Sequence, residues 1–364
     1  MRFGVIFALI PAALLAVLVG LPAGPARAAD AITVTLGGRI KEFFFAASQT
    51  QAPAEALNST GMFNDTRLSV EGRTVLDNGI TVRTFMRFNV IGQAPTNVDE
   101  AYVDIISSFG RLRMGDKDGL NTTTIGDPVP QAFLSVDEEI LPDALMPRTG
   151  IVLRDGFTFR RFTRNALGVS YQTPELYGFK VGVSYHPSPT PAVSTIDGAF
   201  LPHDALDVTA GYDGDFTGGT YRIAGGYFRT ASSRGGIRAG QDGGQAWNLS
   251  AGLTYGGFEL AGAYISTQPA DGRDEQAWTV GGLYGIGPFT LSADYRHAKR
   301  QPFPFALIPA RAFSEHAERT TLQGAYKLGP GIVVGLAGFY AEQQDALGAA
   351  YDGGGVLGGI KVDF

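Results

Sequence analysis

The chain closes on Gly355-Val-Leu-Gly-Gly-Ile-Lys-Val-Asp-Phe364, and the order of side chains in this stretch decides the fold. Val356, Gly358, Ile360, Val362 and Phe364 share one parity, while Gly359, Lys361 and Asp363 take the other. Successive side chains of a strand point to opposite faces. This segment therefore has one greasy face and one wet face. That is the pattern of a strand crossing a membrane, with apolar side chains toward lipid and polar ones toward water.

The opposite end has a different character. Arg2 precedes an apolar run from Phe3 to Leu21, and Ala26-Arg-Ala28 follows as a small-residue exit. A basic start, an apolar middle and an A-x-A exit predict a secretory signal peptide over residues 1–28. The remaining 29–364 hold 27 basic against 35 acidic residues, a net charge of −8. Cysteine is absent, so disulfides and thiolate chemistry are excluded. No uninterrupted apolar run long enough for a transmembrane helix follows Ala28. The 50 glycines among 364 residues disfavour helices and suit strands joined by tight turns.

Period-two alternation recurs along the chain. Val34, Leu36 and Ile40 oppose Arg39 and Lys41, and Leu68 and Val70 oppose Arg67, Glu71 and Arg73. After Asp77-Asn-Gly79, a tight-turn signal, Val82, Met86 and Phe88 oppose Arg83, Phe85 and Arg87. Val103 and Ile105 then face away from Glu100, Tyr102 and Asp104, and Leu112 and Met114 away from Arg113. Later strands are predicted to start near Asn165, Phe179, Ala205, Gly219, Ala246, Phe258, Glu275, Phe289, Ala317, Ile332 and Gly354. The total is about sixteen, an even number suited to a closed antiparallel barrel. The connections alternate short and long, as a transmembrane barrel with short periplasmic turns and longer outer loops requires. Aromatics near predicted strand ends, among them Phe43, Phe44, Phe45, Phe258, Tyr284, Phe289 and Tyr326, suit girdles at the two interfaces. The fold expected is all-β: a 16-stranded antiparallel transmembrane barrel.

One connection stands apart. The third long loop, residues 118–164, carries Asp127, Asp137, Glu138, Glu139 and Asp143, with Pro128, Pro130, Pro142 and Pro147 setting bends. A barrel of about sixteen strands leaves an aqueous lumen, and a loop this long is able to fold inward and narrow it.

Arg39, Lys41, Arg67, Arg73, Arg83 and Arg87 all fall on the lumen parity of the first three strands, with Arg113 on a later one. With strand ends near Ala31, Val75 and Gly79, Arg39, Arg67 and Arg87 each lie eight positions from the periplasmic side. Eight positions climb roughly 19 Å at the usual rise and tilt, placing three guanidiniums at one height near mid-membrane. Arg83 and Arg113 come lower, and Arg73 lower still. Like charges side by side need acids opposite, and the acidic third loop is the expected source. A basic wall facing an acidic loop makes a transverse field across a wet pore.

The segments Ile32-Thr-Val-Thr-Leu-Gly-Gly-Arg39, Thr66-Arg-Leu-Ser-Val-Glu-Gly72, Asp99-Glu-Ala-Tyr-Val-Asp104 and Phe109-Gly-Arg-Leu-Arg-Met-Gly115, with the terminal Phe364, make the chain similar to the general porins of Gram-negative bacteria, especially those of α- and β-proteobacteria. The likeness is strongest before Asp118. It implies a trimeric outer-membrane barrel, an internal constriction formed by the third loop, and Phe364 as the signal read by the outer-membrane assembly machinery. Asp137-Glu-Glu-Ile140 stands where the enteric members carry a PEFGG-like segment, so the pore's shape is not transferable from them.

The function expected is passive diffusion of ions and small hydrophilic solutes, without a chemical step, cofactor or metal. A sugar- or anion-selective channel is the alternative; Phe85 and Tyr102 alone make too short an aromatic track for sugars. Enzymatic chemistry needs a positioned nucleophile and base, and His186, His203, His297 and His316 come with no serine nucleophile motif. The acidic balance and the lack of a basic tract disfavour nucleic acid as a partner, and none is expected.

Overall fold

A computed structural model describes residues 30–51, 56–91, 98–126, 128–134, 145, 159–163, 165–189, 203–231, 244–269, 273–302 and 313–364. The predicted signal peptide lies outside them.

Sixteen antiparallel strands close into one barrel. They are β1 (Thr33–Gln49), β2 (Thr60–Val75), β3 (Thr81–Ile91), β4 (Val98–Ser107), β5 (Gly110–Asp116), β6 (Leu167–Gln172), β7 (Phe179–His186) and β8 (His203–Phe216). The circuit continues with β9 (Gly219–Ala231), β10 (Gly244–Tyr255), β11 (Phe258–Pro269), β12 (Glu275–Ile286), β13 (Phe289–Arg300), β14 (Glu315–Gly329), β15 (Ile332–Gln344) and β16 (Ala350–Asp363). Each strand pairs with its sequence neighbours, and β16 returns to β1. The strand starts predicted at Phe179, Gly219, Phe258, Glu275, Phe289 and Ile332 coincide with the observed ones.

The terminal residue closes the seam. Phe364 donates its N–H to Gly38 O (3.0 Å) and accepts from Gly38 N–H (2.8 Å), extending the β1–β16 ladder by one step. Its ring lies over Gly38, where a Cβ would touch ring carbons at 2.6 Å. Alternation is visible in exposure. Leu322, Leu336 and Val356 lie open on the outer face, whereas their chain neighbours on the other parity are less exposed.

Two aromatic belts ring the outside. Phe258–Tyr284 (4.2 Å between ring centres), Phe179–Tyr212 (4.5 Å) and Phe289–Tyr326 (4.8 Å) lie by the short turns. Trp247–Tyr264 and Trp278–Tyr295 lie toward the long loops. Amphipathic rings settle at such interfaces. Phe43 and Phe45, expected with the belts, point inward instead. They flank the outward Phe44 on a strand that continues to Gln49, beyond the Ala46 at which alternating polarity fades. The connection between β1 and β2 therefore spans only 50–59. Strand pairing with β16 persists there because the backbone ladder does not require a polarity pattern.

The lipid face sets a measurable cost. Leu322 lies mid-strand on β14, 62% exposed on the outer face. Leu322→Arg is expected to destabilise the barrel by about 2–4 kcal/mol in vesicle refolding titrations, with Leu322→Ala losing far less.

Candidate functional site

The inner face of β1–β5 carries an ion ladder in two tiers. In the upper tier Asp65 on β2 receives Arg39 Nη2 at 2.6 Å and Arg67 Nε at 2.8 Å, with Lys41 Nζ at 4.0 Å. Arg67 also reaches Asp99 at 3.4 Å. Asp99 binds Arg87 at 2.6 Å, and Arg87 reaches Glu100 at 2.6 Å. Lys117 ends the series on Glu100. In the lower tier Arg83 lies 2.9 Å from Glu71 and 3.6 Å from Asp104. Arg113 grips Asp104 with two bonds of 2.6 and 2.8 Å, the strong fork geometry of guanidinium on carboxylate. Between the tiers the Phe85 and Tyr102 rings pack at 5.3 Å, and Arg113 stacks 3.9 Å over Tyr102.

Six of the seven predicted basic residues thus share one connected wall. Arg73 does not join it: it is exposed at the short-turn end, register partner of Arg83, and makes no ion pair among the described residues. Arg39 and Arg67 stand opposite each other as expected. Arg87 does not share their height. Thr81, not Gly79, starts β3, because the turn runs from Leu76 to Ile80 and is closed by Leu76 N–H on Ile80 O. Asn89 therefore stands opposite Arg67, and Arg87 two residues lower opposite Ser69.

The acids that offset these arginines among the described residues belong to the wall itself. Asp99 was hidden from alternation by a bulge: Arg87 pairs with Glu100 and Phe88 with Val98, leaving Asp99 unpaired in the register. The bulge lets two consecutive carboxylates face the same arginine. Asp127, Asp137, Glu138, Glu139 and Asp143, the acids expected from the loop, lie outside the described residues.

The described parts of the third loop bond to the inner wall. Its first described piece, α1 (Leu120–Ile125), lies against β7, β8 and β9. Loop backbone groups bond to inward side chains. Leu120 N–H donates to Ser184 (2.8 Å) and Asn121 N–H to Asp207 (3.3 Å), while Arg222 donates to Thr124 O (2.8 Å). The Asn121 and Asn248 amides bond reciprocally at 3.0 and 2.7 Å, and Phe159 N–H donates to Asn121 Oδ1. Further on, Gln131 donates to Asp294, Ala132 N–H to Ser292, and Phe133 and Leu134 N–H both to Gln323 Oε1. Phe133 meets Phe43 edge-on at 5.4 Å. Leu134 and Leu145 join the same cluster with Ala325, Phe339 and Leu357.

Wall glycines make room for this path. A Cβ at Gly281 would overlap Val129, and one at Gly335 the Phe133 ring. At the loop's base Asn165 ties the two systems together, N–H on Asp118 and side-chain amide on Asp99, both at 2.9 Å. A second short helix, α2 (Arg160–Thr163), precedes it. Beneath the loop, toward the short turns, opens a cavity of about 760 Å³ whose lining includes Asp213, Arg222, Glu259, Lys361 and Asp363.

Comparison with known proteins agrees with this geometry. The family model described as Gram-negative porin matches residues 12–346. No curated protein sequence matches. Among solved structures the barrel is similar to a loop-deletion mutant of OmpT, an outer membrane protein of Vibrio cholerae (TM-score 0.63, 15% identity, 92% of this chain and 100% of that one). It is also similar to the outer membrane channel DcaP of Acinetobacter baumannii (TM-score 0.63, 14% identity, 94% and 100%). An anion-selective porin from Comamonas acidovorans gives a TM-score of 0.59 at 16% identity, over 92% and 100%. At these identities the structures speak for the fold. The chain belongs to the Gram-negative porin family. It is an outer-membrane β-barrel, a channel for passive diffusion.

The loop's grip on the wall is testable. Asn248→Leu removes both amide bonds to Asn121 and leaves that buried side chain short of partners. A loss of about 1–3 kcal/mol is expected in refolding titrations, with faster amide hydrogen exchange over 119–126.

Proposed function

We propose that the β1–β5 ladder is the wall that sets ion preference in this pore, and that small hydrophilic solutes pass it by diffusion without a chemical step. The observation that carries the reading is the ladder itself: seven basic side chains, Lys117 included, interleaved with Asp65, Asp99, Glu100, Glu71 and Asp104 inside a closed barrel. Dense fixed charge of both signs orders water across the passage and disfavours apolar solutes of similar size. The acids Asp127, Asp137, Glu138, Glu139 and Asp143 complete the field from the loop side in this reading, and the loop forms the constriction.

The assembly is proposed to be a homotrimer in outer-membrane lipid; OmpT of Vibrio cholerae is known in a trimer form. Phe364 is the proposed assembly signal, and residues 1–28 the leader removed on export.

Reconstituted protein is expected to give ohmic conductance in planar bilayers; folded barrels that pass no current would sink the reading. Replacing Arg39, Arg67 and Arg87 together by glutamine leaves Asp65, Asp99 and Glu100 under-compensated. The reversal potential in a salt gradient is then expected to move toward cation preference. An unchanged potential would show that the ladder lies off the ion path.

A further inference from the structure

A second inward cluster, on β13 and β14, stands apart from the ladder. Arg296 and Arg319 are register partners, and both are buried, at 0% and 8% exposure. Among the described residues the acid on their face is Asp294, register partner of Thr321, whose Oδ2 lies 3.1 Å from Arg296 Nε and whose Oδ1 accepts from Gln131. Arg319 makes no ion pair among the described residues, and its Nε has no hydrogen-bond partner.

Two more donors continue the row along β14. Thr321 Oγ1, wholly buried, and Gln323 Nε2 likewise lack hydrogen-bond partners among the described residues. Positions 319, 321 and 323 share the inward face and are spaced about 6.8 Å apart. Gln323 is held in orientation because its Oε1 accepts from the Phe133 and Leu134 N–H groups, which turns its NH₂ elsewhere. The flanking β15 positions are uncharged: Ala341 beside Arg319, Phe339 beside Thr321 and Ala337 beside Gln323. The acids higher on this face, Glu275 and Glu315, are already held by Arg300 and Arg273. Arg319 thus holds its positive charge in a place shielded from bulk water, with no ion pair among the described residues, where an unpaired charge is costly.

We propose that Arg319 and Thr321, with Gln323 as the next donor in line, bind a small oxyanion inside the lumen. A guanidinium fork beside a hydroxyl suits a polyoxygen anion, which accepts several bonds at once, better than a spherical halide. Arg296 adds attractive potential. The station holds such anions in transit without excluding other solutes. As a stage of permeation it rests on the channel reading given above; as a binding site it does not.

The test uses the full barrel refolded in detergent, with inorganic sulfate as probe. Equilibrium dialysis in dilute chloride is expected to show saturable binding of one sulfate per chain. Arg319→Gln should weaken it at least tenfold and Thr321→Val several-fold, while Leu322→Ala, on the lipid face of the same strand, leaves it unchanged. Heat-modifiable gel migration reports folding of each variant. If Arg319→Gln fails to fold, Arg319→Lys keeps the charge without the fork, and a several-fold weakening is expected. Absence of saturable binding, or equal affinity in folded unaltered protein and the Arg319 variant, overturns the proposal. In bilayers, sulfate should reduce chloride current with the same half-saturation as in dialysis. Current without sulfate binding removes the station and leaves the channel; sulfate binding without current removes the channel and leaves the station.

Discussion

Every feature of this protein follows from the need to satisfy backbone N–H and C=O groups where lipid offers no partner. A strand solves this only if both of its edges are paired, so the sheet has to close on itself. The closure runs through β1 and β16 and ends in the reciprocal bonds between Gly38 and Phe364. A closed ladder also explains why strands that are poor in hydrophobic mass hold together. Glycines at 353, 354, 355, 358 and 359 leave β16 little side chain to pack, yet it pairs residue by residue with both neighbours.

Closing sixteen strands creates a second problem, because the interior is too wide for side chains alone to fill. The loop after β5 answers it with main-chain groups. Ser184, Asp207, Ser292 and Gln323 accept backbone N–H donors along its path, and Arg222 donates to a loop carbonyl. The wall thus supplies the hydrogen bonds that an irregular segment cannot make with itself. Where the loop turns apolar, the wall offers Phe43, Phe339 and Leu357. On β1–β5 the inner face instead keeps its charge, and neighbouring strands neutralise one another across the register.

Individual residues show how far the sequence reaches. Arg39 and Arg67 were placed opposite each other by counting from strand ends, and they are register partners. The same count failed for Arg87 by two residues, since a turn's closing bond decides where its strand begins. Asp99 was invisible to a parity argument because a bulge breaks parity. Phe43 and Phe45 read as interface aromatics by their place near a strand end, yet they share the inward parity of Arg39 and Lys41 and face the loop. Arg319 and Arg296 attract no notice in sequence, being 23 positions apart, and become a cluster only when β13 lies beside β14.

The sequence by itself determined the class of fold, the number and order of strands, and the side of the barrel each early arginine faces. These are encoded locally, by period-two polarity and by turn residues, and local signals survive reading one residue at a time. Tertiary structure alone decided which charges touch, how high each stands, and where the third loop lies. Those depend on register, bulges and closure, which arise only when distant strands share hydrogen bonds.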